Sequence, residues 1–327
     1  VVILNGKDLI PLNPSWAILL SIFIDEVNKY QGNEILDEEL EKIVTRTVKR
    51  LKKIYFYPRP KTIKRDLWNM IGLFTAIANK EETSIDVGQI SIGDFAKFMQ
   101  APHRMDLMIS SMVKDNKWHC NQKCLHCYAG NQDYATTKEL STKEWKKIID
   151  KCKANCIPQL TFTGGEPTLR KDLVELIEYS KWFVTRLNTN GVLLTSELCH
   201  NLYEASLDSV QVTLYSSDPK IHNQLVGADN FNLTVQGIKN ALAAGLNVSI
   251  NTPLCTLNQD YTKTLKFAKD LGITYASSSG LIVTGNAKNE DSKSTQLSKK
   301  DITKVMEDAC KYAEEAEMEL SFTSPGW

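Results

Sequence analysis

The 327-residue sequence has no net charge and no long apolar run. Its 39 lysines and arginines equal its 39 aspartates and glutamates, which gives no electrostatic case for nucleic acid as a partner. The longest apolar stretch, Trp16 to Ile24, is too short to cross a bilayer, so we expect no membrane partner either. Apolar residues make up 42% of the chain, enough for one large domain with a substantial core and a smaller second domain.

The sequence also lacks an N-terminal secretory signal. Its eight cysteines include several that stand alone, and an oxidising compartment would couple such thiols. We therefore expect a cytoplasmic protein.

Three of the eight cysteines, Cys120, Cys124 and Cys127, crowd into "WHCNQKCLHCYAG" (118–130) as Cys-x3-Cys-x2-Cys. With cysteine at roughly one residue in forty, chance predicts about 0.005 occurrences of this spacing. Structural zinc normally needs four ligands; His126 could supply a fourth in principle, but it is wedged between two cysteines. Four thiolates usually hold a [4Fe–4S] cluster. The spacing favours such a cluster with one iron open to an outside ligand, with zinc or plain packing as the alternatives.

Strand-like and helix-like runs alternate over residues 105–317, which predicts an α/β fold. The six strands are expected in "MDLMIS", "PQLTFTGG", "FVTRLNTNG", "SVQVTLYS", "NVSINTPL" and "TYASSSGLIV". Ser141 and Glu144 form a capping box for the first helix, and Gly245 and Gly272 end two later ones. Six βα units in a row predict parallel strands in a partial (β/α)6 barrel, with ligands at the carboxyl ends of the strands.

A second motif, "TFTGGEPTL", follows the second predicted strand. Gly164 and Gly165 allow a sharp turn and a close approach of backbone to a ligand. Glu166 is expected to project its carboxylate into the mouth of the barrel, where it can accept a hydrogen bond from an ammonium group. The alternative is an ordinary strand-to-helix turn with a solvated glutamate.

With both motifs in this order, residues 105–317 resemble the radical S-adenosylmethionine (radical SAM) enzymes. The resemblance implies that the three clustered cysteines hold a [4Fe–4S] cluster whose open iron binds the amino and carboxylate groups of S-adenosylmethionine. Gly164, Gly165 and Glu166 match the family's Gly-Gly-Glu, which contacts the methionine amino group. Tyr128 stands where members often place a backbone contact to adenine. His126 departs from the aromatic residue that is commonest before the third cysteine.

The resemblance further implies that a donor such as flavodoxin or ferredoxin reduces the cluster, which then splits S-adenosylmethionine into a 5′-deoxyadenosyl radical and methionine. Polar residues at the strand ends are candidates for the ribose or carboxylate, namely Asn188, Asn190, Thr213 and Asn251. They equally suit unpaired backbone groups at strand ends. "VTGNA" (283–287) is expected to pass along the adenine ring. No acid or base for the substrate stands out.

The first 60 residues predict a small winged-helix-like α+β domain, followed by a helical linker over 61–104. Two apolar runs surround Asn5-Gly6 as in a hairpin, and Asn13 and Pro14 begin a helix. "LIPLNPSWAILL" resembles the start of the pyrroloquinoline-quinone peptide chaperones, the leader-recognition domains of peptide maturases. The resemblance implies that the leader of a precursor peptide adds a strand to the hairpin edge, which raises the concentration of the rest of the precursor at the barrel. A DNA-binding winged helix and a plain helical cap are the alternatives.

Residues 318–327 stand where related maturases begin a SPASM-type extension, so we expect auxiliary [4Fe–4S] clusters in a part absent from this sequence. The leading hypothesis is a radical SAM peptide maturase that installs a thioether from a cysteine sulfur to an acceptor carbon. Other radical peptide changes remain open: a carbon–carbon link, epimerisation or formylglycine formation. From a different class comes a metal-binding DNA regulator.

Overall fold

A computed structural model describes residues 2–4, 8–30, 35–79, 81–83, 91–97, 99, 101–114, 117–130 and 138–323. The chain forms two compact units, an N-terminal unit over Val1–Met99 and a C-terminal unit over Gln100–Trp327. None of the described helices is long and apolar enough to span a membrane.

The N-terminal unit begins with the predicted hairpin. Strands β1 (Val2–Leu4) and β2 (Asp8–Ile10) pair antiparallel, and the turn at Asn5-Gly6 lies outside the described residues. The described part of this unit continues with four helices: α1 (Pro14–Val27), α2 (Asp37–Leu51), α3 (Pro60–Ala78) and α4 (Ile92–Ala96). The side chain of Asn13 accepts a hydrogen bond from Trp16 N at 2.9 Å, which confirms the predicted start of α1.

Three helices build the core of this unit. Its buried apolar residues come from α1 (Leu19, Ile22), α2 (Val44, Leu51) and α3 (Ile63, Leu67, Met70). Helix α3 therefore belongs to the packed N-terminal unit, whereas the sequence analysis placed it in a linker. The winged-helix character of residues 1–60 stays a prediction.

One carboxylate, that of Glu26 in α1, is buried in this unit with only 2% of the residue exposed. Lys29 and Arg50 donate hydrogen bonds to it at 2.6 and 2.7 Å, and Arg46 donates at 3.2 Å. Hydrogen bonds from Lys29 and Arg50 lower the pKa of Glu26 to about 2. The ion cluster joins α1 to α2.

The C-terminal unit contains a seven-stranded parallel sheet in the order β11-β10-β9-β8-β7-β6-β3. Its strands are β3 (Arg104–Ser110), β6 (Gln159–Gly164), β7 (Val184–Thr189), β8 (Ser209–Thr213), β9 (Asn247–Pro253), β10 (Tyr275–Ser279) and β11 (Glu319–Phe322). The short strands β4 (Val113–Lys114) and β5 (Lys117–Trp118) form a separate antiparallel pair. All six predicted strands are present, and β11 adds a seventh in the stretch assigned to an extension.

The predicted helices follow the strands, together with two that the sequence analysis did not predict. They are α5 (Thr142–Ala154), α6 (Leu173–Tyr179), α7 (Ser196–Glu204), α8 (Pro219–Val226), α9 (Phe231–Ala243), α10 (Tyr261–Asp270), α11 (Glu290–Lys293) and α12 (Lys299–Glu315). The two unpredicted helices are α8 and α11. The capping box of Ser141 and Glu144 opens α5. Gly245 and Gly272 take left-handed backbone conformations after α9 and α10, which confirms their predicted roles.

The two faces of the sheet differ because side chains alternate along each strand. Apolar residues such as Phe162, Leu187, Val210 and Ile250 are fully buried in the main core, which they share with the helices. The other face carries hydroxyl, amide and guanidinium groups. This polar face lines the cavity described next.

Candidate active site

A cavity of about 590 Å³ lies on the polar face of the sheet. The three cluster cysteines and the eight single residues that the sequence analysis named for S-adenosylmethionine line it: Cys120, Cys124, Cys127, Tyr128, Gly164, Gly165, Glu166, Asn188, Asn190, Thr213 and Asn251. The fold therefore brings together residues from one loop and four strand ends. Residues 283–287, expected beside the adenine ring, are not among the lining residues. The volume of the cavity is typical of a small-molecule binding site.

The three cysteines stand on residues 119–130, called here the cysteine loop. One side of this loop is bound to the end of α8, where Lys123 N donates to Val226 O at 2.9 Å and Leu125 N donates to Leu225 O at 2.8 Å. These backbone bonds fix the loop beside the cavity. The alternation of strands and helices does not predict them, because α8 is an extra helix between β8 and α9.

The other side of the cysteine loop is bound by the segment after β10. Asn286 donates from its side chain to Cys124 O at 3.0 Å and from its backbone to Cys127 O at 2.9 Å. Ser292 Oγ donates to Leu125 O at 2.8 Å. The sequence analysis expected residues 283–287 beside the adenine ring, a role that stays a prediction. The structure gives Asn286 a contact that the sequence did not suggest: it holds the backbone between the cysteines.

The thiols of the cysteine loop face protein acceptors in this structure. Cys120 Sγ donates to Gly165 O at 3.3 Å, and Cys124 Sγ donates to Gln122 Oε1 at 3.6 Å. Burial raises the pKa of Cys120 to about 11 and raises the pKa of both other thiols. A metal centre would displace these protons, because bound cysteine is the thiolate.

The described residues contain no group of three His, Cys, Asp or Glu side chains arranged around a single metal ion. A [4Fe–4S] cluster does not need such convergence, since each thiolate binds a different iron. Three half-buried thiols spread along one loop at the cavity wall fit a [4Fe–4S] cluster. His126 Nε2 lies 2.7 Å from Thr295 Oγ1, and burial lowers the pKa of His126 to about 4, so the imidazole is neutral at pH 7.

The two glycines of the second motif approach the neighbouring strand. Gly164 has a φ of +138°, and a Cβ added there would lie closer than 3.0 Å to the backbone of Ser110. Gly165 N donates to Ser110 O at 2.8 Å. A side chain at Gly164 would push β3 away from β6, so the structure itself requires glycine there.

Glu166 lines the cavity but is only 1% exposed. One carboxylate oxygen accepts from Thr168 N at 3.0 Å, Thr168 Oγ1 at 2.6 Å and Thr189 Oγ1 at 2.7 Å. The other accepts from Asn190 N at 2.8 Å. Burial raises the pKa of Glu166, and these four hydrogen bonds oppose the rise. Glu166 thus connects the end of β6 to the end of β7. The sequence analysis expected its carboxylate to face a ligand and did not predict this structural role.

The polar strand ends differ in how they are satisfied. Asn190 Nδ2 donates to Asn121 Oδ1 at 2.6 Å, and Ser277 Oγ donates to Asn251 Oδ1 at 2.9 Å. Asn188 Oδ1 and Thr161 Oγ1 are buried and have no hydrogen-bond partner among the described residues. Buried polar atoms are normally paired, so these two atoms at the cavity wall suit the polar groups of a ligand.

An open parallel sheet with a three-cysteine loop and a Gly-Gly-Glu turn at the carboxyl ends of its strands defines a class of cluster-binding α/β proteins. Residues 119–271 match the family described as the Radical SAM superfamily. The chain therefore carries a radical SAM domain, the domain of enzymes that cleave S-adenosylmethionine reductively. The chain is 31% identical over 197 residues to Fe-coproporphyrin III synthase of Methanosarcina barkeri, a match that covers 56% of this chain and 48% of that protein. It thus spans about half the length of this curated relative.

Several solved structures have a similar fold. SuiB of Streptococcus suis superposes with a TM-score of 0.59 and 17% identity, over 97% of this chain and 66% of that one. A further SuiB structure is bound to a precursor peptide, SuiA. The protein anSMEcpe with bound AdoMet superposes with a TM-score of 0.55 and 17% identity, over 67% of this chain and 63% of that one.

Proposed function

We propose that the protein is a radical SAM maturase that binds a ribosomally made precursor peptide and installs an intramolecular cross-link, a thioether from a cysteine sulfur to an acceptor carbon. The observation that carries the proposal is the likeness of fold to SuiB over 97% of the chain, a span that takes in both units. The likeness to anSMEcpe covers only 67%. The likeness to SuiB, which has been solved with the precursor peptide SuiA bound, thus extends over the N-terminal unit as well.

Five residues at the mouth of the cavity have specific roles in this proposal. Cys120, Cys124 and Cys127 would hold the [4Fe–4S] cluster, and Asn188 would offer its unpartnered oxygen to a donor group of the cofactor. Glu166 would hold the Gly-Gly turn against the end of β7 through its hydrogen bonds. The bound cluster and S-adenosylmethionine together supply a 5′-deoxyadenosyl radical, which abstracts hydrogen from an unactivated carbon. The protein's own share is to orient the cofactor and substrate and to exclude water.

The N-terminal hairpin would bind the leader of the precursor. Strands β1 and β2 form a sheet of two strands within the described residues, so backbone groups along its edges are available to a third strand. Attachment of the leader raises the effective concentration of the remaining peptide at the cavity. A flavodoxin or ferredoxin would supply the electron.

Two measurements test this function in order. The chain is first reconstituted anaerobically with iron and sulfide, then given S-adenosylmethionine and dithionite. We expect 5′-deoxyadenosine from the wild type and none from Cys124→Ala, while Cys310→Ala, an exposed cysteine outside the cavity, matches the wild type. Absence of 5′-deoxyadenosine from protein with a full iron content contradicts the radical chemistry.

The second measurement addresses the peptide. Precursor peptides encoded next to the gene of this protein are co-expressed with it, and their masses are measured by mass spectrometry. A thioether formed from S–H and C–H removes two hydrogens. One would leave as the hydrogen atom taken by the deoxyadenosyl radical, and the other as a proton and an electron that an iron–sulfur cluster would accept. The product is therefore lighter by the mass of two hydrogens and resists thiol alkylation. A precursor without its leader is expected to be modified at least tenfold more slowly. If no neighbouring precursor loses two hydrogens, the maturase function is wrong.

A second candidate is a radical step in tetrapyrrole synthesis, favoured by the 31% identity to Fe-coproporphyrin III synthase. Incubation of the reconstituted enzyme with a tetrapyrrole precursor of Fe-coproporphyrin III, followed by mass analysis for Fe-coproporphyrin III, tests it directly. The likeness to SuiB over both units favours the peptide.

We further propose that the natural protein carries auxiliary [4Fe–4S] clusters beyond residue 327. This proposal rests on the resemblance to maturases with a SPASM-type extension. Reading the gene past the codon for Trp327 tests it, since an immediate stop codon would exclude the extension.

A further inference from the structure

Two arginines line the cavity away from the cysteine loop. Arg104 stands at the start of β3, and Arg186 stands on β7. In the sheet register, Asp106 pairs with Thr161 and Thr161 pairs with Arg186. Since paired residues share a face of the sheet, an acid, a hydroxyl and a guanidinium form one row across three strands.

The charges in this row do not cancel. Arg104 Nε is bound to Asp106 Oδ1 at 3.0 Å. Arg186 makes no hydrogen bond or salt bridge with any residue that the structure describes. The other acid at the cavity wall, Glu166, already accepts four protein donors. Arg170, elsewhere in the same unit, instead pairs with Asp172 at 2.7 Å. Asp106 attracts Arg186 only from a distance, since its carboxylate is bound to Arg104. The guanidinium of Arg186 is therefore left in the cavity without an acid bonded to it.

Burial and the charge of Arg104 lower the pKa of Arg186, and the weaker opposing effects of Tyr275 and Asp106 do not restore it. A partly buried cation beside a second cation is unfavourable unless an anion joins it. Thr161, the neighbour of Arg186 in the row, is 1% exposed, and its hydroxyl has no partner among the described residues. A guanidinium fork and a free hydroxyl together match the two oxygens of a carboxylate.

The position of this row separates it from the cofactor. Asn190, four residues after Arg186, contacts Asn121 beside Cys120 at 2.6 Å. Four residues of strand span about 13 Å. Cys120 and Arg186 are thus separated along the strand direction. A carboxylate at Arg186 would lie away from this cluster cysteine, where a substrate rather than the cofactor is expected.

We propose that Arg186 and Thr161, with Arg104 beside them, bind a carboxylate of the substrate. The substrate class is therefore an acidic one, a peptide with a glutamate, an aspartate or a free carboxyl terminus close to the carbon that reacts. The peptide part of this statement rests on the proposed function. The carboxylate site itself rests on the row of side chains alone.

The test measures access to Arg186 in the cluster-loaded protein under anaerobic conditions. The probe is N-acetyl-glutamate methylamide, a single acidic residue with a peptide bond on each side, and its neutral control is the glutamine analogue. Phenylglyoxal labels free arginines, and mass spectrometry of the digest reports each site. We expect the glutamate probe to slow labelling of Arg186 at least threefold and the glutamine analogue to leave it unchanged. Arg65, whose side chain is 69% exposed in the N-terminal unit, is the internal reference for the reagent.

Two variants sharpen the test. Thr161→Val keeps the shape of the side chain but removes the hydroxyl, and it should weaken protection of Arg186 by the glutamate probe. Arg186→Lys keeps the charge without the fork, and calorimetric titration should show weaker binding of the probe than to the wild type. Equal protection by the glutamate and glutamine probes overturns the site, as does undiminished binding to Arg186→Lys.

A separate arm identifies the source of the carboxylate. S-Adenosylmethionine alone, at saturating concentration, should leave labelling of Arg186 unchanged. Protection by S-adenosylmethionine alone would assign the arginine to the cofactor and overturn the substrate site. The assay needs neither turnover nor a precursor, so failure to modify any precursor would count against the maturase function while the labelling result stands.

Discussion

Gly237, in the middle of α9, offers the sharpest test of how this fold holds its site. A Cβ added at Gly237 would lie closer than 3.0 Å to Gly191 O and 3.1 Å from Leu194 Cβ. Gly191 follows Asn190 in the turn after β7, and Thr234 on α9 donates to Asn190 O at 3.0 Å. Helix α9 therefore rests directly on the backbone that supplies an N–H to Glu166.

Two effects of Gly237→Ala have opposite signs. Alanine favours a helix over glycine by about 1 kcal/mol. The added methyl group collides with a backbone carbonyl, which cannot rotate away, and overpacking of this kind costs typically about 1–3 kcal/mol and occasionally more. Because the collision is with backbone, we place the cost at or above the upper end. The net effect is a destabilisation of about 2 kcal/mol.

Differential scanning calorimetry measures this effect. For a unit of this size, about 2 kcal/mol lowers the melting temperature by about 4–8 °C. Gly72→Ala in α3 is the matched control, since a Cβ there has no neighbour within 4 Å. That variant should gain about 0.5–1 kcal/mol from the same helix preference. A melting temperature of Gly237→Ala equal to or above that of the wild type refutes the packing argument.

Three further outcomes are expected. Glu166→Gln places an amide N–H against a backbone or hydroxyl donor such as Asn190 N, so thermal unfolding should show a loss of about 1–3 kcal/mol; a variant as stable as the wild type contradicts the hydrogen-bond assignment. The folded-state pKa of Glu26 is lowered, so its ion cluster stabilises the protein above the unfolded-state pKa near 4.5 and loses this effect as the pH falls towards 2. Glu26→Gln should thus be less stable by about 1 kcal/mol at pH 7, a small value because the cations are partly exposed, and equal to the wild type near pH 2 in chemical unfolding. Asn286→Ala loses the bond to Cys124 O, so a chelator should remove iron from the reconstituted protein faster; an unchanged rate means that the backbone bond alone holds the loop.

Much of the fold follows from signals that lie within a few residues. The capping box of Ser141 and Glu144 spans three residues and opens α5 as predicted. The six strands and the helices between them were predicted from apolar periodicity, which acts over one element at a time. The spacing of the three cysteines and the Gly-Gly-Glu turn likewise identify the superfamily from single short stretches.

Strand β11 is an element that such local signals did not predict. Its four residues carry little strand character of their own, and they become a strand because they pair with Tyr275–Ser278 of β10. Helix α3 is similar, since its place in the N-terminal core depends on contacts with α1 and α2. Pairing partners of this kind become known only when the chain is folded.

The site divides in the same way. Which residues line the cavity followed from motifs and strand ends, because parallel strands bring their carboxyl ends to one edge. What those residues contact did not follow. Asn286 lies 162 positions from Cys124, and Glu166 meets its donors Thr189 and Asn190 across 23 and 24 positions. The unpaired guanidinium of Arg186 is visible only once the acids around it have found their partners. Short stretches of sequence identify the residues that carry the chemistry. Hydrogen bonds and charge balance between distant residues are determined only by tertiary packing.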